Sequence, residues 1–443
     1  EERRKVNNIV SKIVDDLKSK LKHLNVKVEV EGSIAKDTWL SGDVDIDIFI
    51  LFPEEKGREW LKNEGFKHIL NAVRGYKYRI AYAEHPYVQL LINNLYIDVV
   101  PALDVKDPKN CRTTVDRTPH HTRYVREKLD EKLKDEVRLL KRFMKGIGVY
   151  GAEIKVSGFS GYLCELLIIH YGSFRNVLKS ASTWKPPVII DIEGHYRGRE
   201  HVLTKIFKHH IIVVDPVDPN RNVASAVSLE SLSKFIAASI QYLKRPSMNF
   251  FEAELKHTTL KDLIDLLASR GTKVVGVVFE TPQLHPDILW GEIWKSLRGL
   301  SRLLEDVGFH IIDYNAWSSE KETVFLFEFQ ENELPTVEVR LGPPVYMVEN
   351  SEDFILKHLK AKDTIAGPYI KGYRWYVIKR RSIVKPEDYI RSYWRKASIS
   401  KDIAKSLSKG FKIVCNDDLL RAIDSEDFRI TLYQFLKKTP PWL

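Results

Sequence analysis

The stretch EGSIAKDTWLSGDVDIDIFILFP, residues 31–53, carries the pattern from which the fold is read. Its second half, residues 43–52, is rich in β-branched and aromatic side chains and stops at Pro53, which predicts a strand. Side chains alternate faces along a strand, so Asp45 and Asp47 share one side while Ile46, Ile48 and Ile50 take the other, toward a core. Past Asp47 the acid-bearing face turns apolar at Phe49 and Leu51, and only one end of the strand presents paired charge. Like charges on one strand face repel unless a cation lies between them. Mg2+, which prefers carboxylate and phosphate oxygens, meets that need.

A second apolar run, VQLLINNLYIDVV (88–100), predicts a hairpin turning at Asn93-Asn94, because Asn tolerates the left-handed backbone such turns require. Pro101 is expected to end it. The returning strand carries one acid, Asp98, among Ile97, Val99 and Val100, and an isolated carboxylate is costly to bury uncompensated. If the two strands are neighbours, the three carboxylates converge. They would then hold two Mg2+ ions, one activating an attacking hydroxyl, the other steadying a triphosphate and its leaving group. A D-x-D on a strand edge is, alone, more often the mark of a solvated surface. Gly32-Ser33 changes the balance: a glycine after a strand lets backbone amides approach a phosphate, and the Ser33 hydroxyl adds a donor.

Outward from this centre, Val6, Ile9, Val10, Ile13, Val14, Leu17 and Leu21 recur at helical spacing. Val26, Val28 and Val30 alternate up to Gly32, and residues 34–42 read as a loop or short helical turn. An amphipathic helix is expected over 130–145, with Val137, Leu140, Phe143 and Met144 as its apolar face, and a largely packing helix over 159–174. Beyond the loop DPVDPNRN (215–222), a further helix runs to about residue 243 and Lys244-Arg245-Pro246 marks a boundary. Residues 273–342 then read strand, helix, strand, strand, strand, an α+β pattern. A hairpin around Gly372 and a basic, aromatic segment (YRWYVIKRR, 373–381) follow.

The 443 residues exceed one ordinary core, and their net charge of +10 suits a polyanionic partner. No stretch approaches the roughly 18 apolar residues of a membrane span, so no membrane partner is expected. Three scattered cysteines, Cys111, Cys164 and Cys415, form no C-x-x-C, which argues against a disulfide scaffold or zinc site and for a reducing, cytoplasmic setting.

With GS at 32–33, DVDID at 43–47 and YIDVV at 96–100, the sequence resembles the polymerase β-like nucleotidyltransferase superfamily. The segments YAEHPYV (82–88), IDVVPA (97–102), VDRTPHHT (115–122), VYGAEIKVSGFSGYLCELLIIHYGSF (149–174) and VVDPVDPNRNVA (213–224) narrow the resemblance to the archaeal, class I CCA-adding enzymes. That resemblance implies an α+β multidomain chain with a polymerase β-like head (mixed sheet with helices), a helical neck, and an α+β body and tail. The expected divisions are 1–145 for the catalytic head, 146–250 for the nucleotide-binding neck, 251–345 for the body and 346–443 for a tRNA-binding tail. It implies untemplated addition of C, C and A from CTP and ATP to the 3′ end of tRNA, with homodimers common in the family. Carried over by position, Asp45, Asp47 and Asp98 are the metal-binding acids, Asp98 also serving the RNA hydroxyl. Ser33, Lys36, Thr118, His121, Lys141 and Tyr150 fall at triphosphate-binding positions, and Arg221 at that of an arginine reading the base. Lys36 stands where some members have Arg, implying a single rather than forked phosphate contact. His85 is a further neighbour of the site or of the tRNA end. The metal chemistry alone leaves other RNA-tailing enzymes, such as poly(A) polymerases, as alternatives.

Overall fold

The N-terminal helix, α1 (Glu2–Leu21), buries Val6, Val10, Ile13, Leu17 and Leu21 as one stripe. There follow β1 (Lys27–Glu31), α2 (Gly32–Lys36), β2 (Ile46–Pro53), α3 (Arg58–Trp60), α4 (Phe66–Ala72), β3 (Tyr78–Tyr82), β4 (Pro86–Ile92), β5 (Leu95–Asp104) and α5 (Thr114–Lys128). The computed structural model describes residues 1–82, 85–111, 113–252 and 259–443, so residues 83 and 84 of YAEHPYV lie outside the described residues. The strands form one mixed sheet in the order β1-β2-β5-β4-β3, with β2 and β5 parallel and the other pairs antiparallel.

The two faces of this sheet are unequal. The stripe of α1 and Phe66, Ile69 and Ala72 of α4 join Ile46, Ile48, Ile50 and Phe52 of β2 in a large core. The other face has only a small apolar group, Phe49, Leu51 and Ala102, packed with Val115 of α5. Asp47, two residues from Phe49, and Asp98, two from Val100, project on this sparsely covered side.

Two strand boundaries differ from expectation. β2 starts at Ile46, not Asp43. Its partner β1 ends at Glu31 opposite Asp47, and Asp43 instead bridges back to Leu40 across a turn with Gly42 at φ 75°. β5 continues through Pro101 to Asp104. The ladder with β4 ends at Val88–Val99, so no strand awaits an amide from residue 101, whose carbonyl bonds the His85 ring at 2.7 Å. The Asn93-Asn94 hairpin forms as expected, with φ of 50° and 63°.

The chain continues as α6 (Glu131–Gly146), α7 (Gly161–Tyr171), α8 (Phe174–Ala181), β6 (Val188–Asp191), α9 (Leu203–Ile206), β7 (Ile211–Val214) and α10 (Leu229–Lys244). The helix expected over 159–174 is α7 and stops at Tyr171, where Gly172 turns left-handed at φ 78° before Ser173 caps α8. These helices surround a core that includes Phe143, Phe159, Leu167 and Phe235. Together with the first sheet they belong to one compact unit, Glu1–Glu254 with Pro440–Leu443.

The second unit spans Leu255–Thr439. It comprises α11 (Leu260–Arg270), β8 (Lys273–Glu280), α12 (Pro286–Glu305), β9 (Ile311–Ser318), β10 (Glu322–Phe329), β11 (Val337–Pro344), α13 (Val348–Leu359), β12 (Thr364–Lys371), β13 (Arg374–Arg380), α14 (Pro386–Tyr393), α15 (Lys401–Lys409), β14 (Phe411–Cys415), α16 (Asp418–Ala422) and α17 (Glu426–Lys437). Four strands pair in the order β14-β8-β10-β9, and α12 packs on this sheet. β11, read in the sequence as the last strand of this group, belongs instead to a separate sheet ordered β11-β13-β12. The division at 345/346 therefore falls within the three-stranded sheet, and β14 returns from the far end of the chain to pair with β8.

Candidate active site

The sheet registers align one polar row across all five strands. Glu31 pairs with Asp47, Asp47 with Asp98, Asp98 with Gln89, and Gln89 with Arg79. Partners in register share a face, so the row lies on the side left open by the small apolar group. Arg79 Nε donates to Gln89 Oε1 at 2.8 Å, which turns the Gln89 amide so that Nε2 donates to Asp98 Oδ1 at 2.7 Å. One Asp98 oxygen is thereby fixed. Asp45 lies just before β2.

Gly32 begins α2 at φ 66°, a left-handed conformation suited to glycine, and a Cβ there would lie 2.4 Å from Asp47 Oδ2. The glycine is thus a close-approach position, with Ser33 half-buried next to it. Asp37 ends the short helix in the left-handed region.

The acids repel one another. Burial, then Asp98 and Asp45, push the Asp47 carboxyl up to about 6. Burial and Asp43 raise Asp45, and burial raises Asp98 against the Gln89 hydrogen bond. Burial also lifts Glu31 to about 7. The nearest lysines are committed elsewhere, Lys145 to Asp43 at 2.7 Å and Lys36 to Glu165 at 2.6 Å. An all-oxygen set of mutually repelling carboxylates suits a hard divalent cation. Among the described residues no group of three or more His, Cys, Asp or Glu side chains is drawn in to metal-ligand spacing, so the acids are neighbours rather than a closed cage.

Two polar clusters stand beside the acids. In the first, buried Lys36 and Lys141 both meet Glu165 of α7, at 2.6 and 3.5 Å. Thr38 Oγ1 donates to the same carboxylate at 2.5 Å and, with its own carbonyl, accepts from Lys141. Tyr150 belongs here too: its Oη and Lys141 Nζ would lie 3.2 and 3.4 Å from a Cβ on Gly161. In the second, Asp215 accepts from His121 at 2.9 Å, Arg221 at 2.8 Å and Tyr162 at 3.3 Å. Burial works to raise the Asp215 carboxyl, but His121 and Arg221 hold it down to about 2. Burial in turn lowers His121. Tyr162 stacks on His121 at 4.1 Å and carries Lys36 Nζ 5.7 Å over its ring, so it touches both clusters. Thr118 lies one helical turn before His121 on α5.

The chain matches three protein-family models: a nucleotidyltransferase domain over residues 10–121, the second domain of tRNA nucleotidyltransferase over 135–252, and the C-terminal domain of CCA-adding enzymes over 270–416. It is 39% identical to the CCA-adding enzyme of Saccharolobus shibatae over 98% of this chain and 95% of that protein. The CCA-adding enzyme of Sulfolobus acidocaldarius is 38% identical over 98% and 95% of the two chains, and that of Sulfurisphaera tokodaii 41% identical over 94% and 91%. The chain belongs to the CCA-adding enzyme family. It is a tRNA nucleotidyltransferase of mixed α+β architecture, and nucleotidyltransferase-domain enzymes generally use divalent metal ions.

For a CCA-adding family member, the placement of the sequence-selected residues divides cleanly. Asp47 and Asp98 meet in one row with Asp45 at its edge; Lys36, Lys141 and Tyr150 gather near Glu165 and Gly161, His121 and Arg221 around Asp215. His85 is buried, and its Nε2 bonds the Pro101 carbonyl. Glu165, Asp215, Tyr162, Thr38, Gln89 and Arg79 went unselected. Glu165 had the signal that exposed Asp98: a single acid in an apolar run, LCELLII.

In the second unit, several bases of the segment 373–381 are already engaged. Lys379 pairs with Asp363 at 2.6 Å, Arg381 with Glu338 at 3.2 Å, and Arg374 donates to the Gly342 carbonyl. Arg391, Arg395 and Lys396 are exposed, the last two lying over the rings of Trp394 and Tyr393. Among the described residues no helix is long and apolar enough to cross a membrane.

Proposed function

We propose that this chain adds C, C and A, without a template, to the 3′ end of tRNA, consuming CTP and ATP and releasing pyrophosphate. The observation that supports it best is the row placing Asp47 opposite Asp98, with Asp45 at its edge, in a chain that matches CCA-adding enzymes over 98% of its length. Two Mg2+ ions held by Asp45, Asp47 and Asp98 would acidify the tRNA 3′-hydroxyl and neutralise charge on the α-phosphate and leaving group. Asp98, with one oxygen fixed by Gln89, faces that hydroxyl as it attacks the α-phosphate and the bond to pyrophosphate breaks. Ser33, Thr118, His121 and Tyr150 donate to the triphosphate, while Lys36 and Lys141 supply charge. With Nε2 bonded to Asp215, His121 presents Nδ1 to the nucleotide, and donating from it requires the protonated ring that the Asp215 carboxylate favours. Arg221, braced by the same carboxylate, reads the incoming base.

The division into head (1–145), neck (146–250), body (251–345) and tail (346–443) is proposed as one of roles, with the tail gripping A-form phosphates, and the working form is a homodimer. Incubating the protein with tRNA lacking its CCA end, CTP, ATP and Mg2+, then sequencing the 3′ ends, tests the activity. Ends of CCA are expected; runs of A, or no extension, overturn it.

A further inference from the structure

Glu165 has no part in the chemistry just proposed, yet it is the only acid of α7, fully buried, and surrounded by donors. Its Oε2 accepts from Lys36 at 2.6 Å and its Oε1 from Thr38 at 2.5 Å, with Lys141 at 3.5 Å. Lys36 and Lys141 are themselves 7% and 1% exposed. Two ammonium groups against one carboxylate leave the cluster one positive charge in excess. A buried excess charge is unfavourable until an anion answers it. Among the described residues no second carboxylate pairs with either lysine. Tyr162 offers Lys36 its ring, Asp47, Glu31 and His121 act on Lys36 from farther off, and Cys164 and Tyr150 lie near Lys141 as neutral groups.

We propose that Glu165 is a positioning residue for the nucleoside triphosphate. It holds Lys36 and Lys141 charged and side by side, leaving one positive charge to be completed by a phosphate. This rests on the assignment of both lysines to the triphosphate. Burial pulls the Lys141 ammonium down from its ordinary value and Lys36 adds to that, while Glu165 lifts it. Burial works to raise Glu165, but the two lysines hold it below the usual carboxylate range. Without the Glu165 charge, burial and Lys36 act on the Lys141 ammonium unopposed, so the pair holds both charges less well as pH rises and the triphosphate loses a partner.

The test is CTP binding by calorimetry on the full chain with Mg2+ and no tRNA, from pH 7 to 9. For Glu165→Gln, the Kd relative to the unaltered protein is expected to rise with pH, approaching tenfold per unit above the lowered lysine pKa. Glu165→Asp keeps the charge and should weaken binding by the same factor at every pH. A packing role alone predicts parallel pH profiles for both variants and overturns the proposal. If Glu165→Gln does not fold, Thr38→Val removes the hydroxyl between Glu165 and Lys141. It should show a smaller rise with pH, and a flat ratio overturns the proposal. Lys36→Met and Lys141→Met separate the two readings. If neither weakens CTP binding, the triphosphate assignment fails and this inference with it. If either does while Glu165→Gln tracks the unaltered protein, only the role of Glu165 fails.

Discussion

Gly32 and Asp47 are in such close approach that a Cβ on the glycine would lie 2.4 Å from Asp47 Oδ2. The Gly-Ser turn and the paired acids are therefore one packed unit. Gly32→Ala forces either the turn or the carboxylate to move, on top of about 1 kcal/mol for a side chain at φ 66°. Nucleotide addition should fall on the order of a hundredfold, the usual cost of displacing a reacting group by about 1 Å. Gly42→Ala is the control, with φ 75° and nothing within 4 Å of its Cβ. It should lose only the backbone-strain part of that stability and keep its activity, as melting temperature and single-turnover rate would show. Equal rate losses in both variants would mean that backbone strain, not the Asp47 contact, is what matters.

The sequence makes the strands and helices of this site visible because each depends on local periodicity: β2 alternates, α6 repeats at helical spacing, and Asn93-Asn94 announces its own turn. What it hides is set by distant partners. Lys36 meets Glu165 across 129 residues and His121 meets Asp215 across 94. Lys141, in a charged helix, gave no sign of burial because the anion that makes burial tolerable lies on another helix. The polar row from Glu31 to Arg79 needs the register of five strands, and register is a tertiary property. β14 was missed for the same reason: five residues, Phe411–Cys415, become a strand by pairing with β8.

On the proposed assignment of Asp47 to the metal, metal affinity depends on pH. Its carboxyl is raised from the ordinary 3.8 to about 6, so its contribution to stability is greatest below 3.8 and is lost as pH rises through 6. Mg2+ should offset that loss, raising the melting temperature more at pH 7.5 than at pH 5, with chelation reversing the effect. Asp47→Asn removes the repulsion. Without metal its melting temperature should match or exceed that of the unaltered protein at pH 7.5, while addition falls on the order of a thousandfold or more, several kcal/mol of lost charge stabilisation. A Mg2+ response in Asp47→Asn equal to that of the unaltered protein would remove Asp47 from the metal site.

Asp215 has the opposite sign. Held from 3.8 down to about 2, it stabilises the fold above pH 4, and that contribution is lost as pH falls through 2. Asp215→Asn leaves Arg221 and His121 without their anion and should cost on the order of 3 kcal/mol at pH 7, as breaking a buried pair does. Its unfolding free energy should fall less steeply than that of the unaltered protein between pH 4 and pH 2. Because Arg221 loses its brace, discrimination among nucleotides should weaken more than overall CTP affinity. Denaturant unfolding across that pH range and misincorporation assays check the two parts separately.

The tail offers a test of which bases meet RNA. Each phosphate neutralised by a lysine or arginine contributes about one unit to the dependence of log affinity on log salt. Lys379, already paired with Asp363 and mostly covered, has its charge answered within the fold. Lys379→Gln should therefore lower stability and leave the salt slope of tRNA binding unchanged. Arg391, Arg395 and Lys396 are exposed, and the rings beneath Arg395 and Lys396 direct these side chains without neutralising them. Replacing all three by Gln should reduce the slope by about 3 while CTP binding stays intact. A slope unchanged from that of the unaltered protein would move the phosphate grip elsewhere on the chain, since a cation that meets a phosphate releases the counterion condensed there.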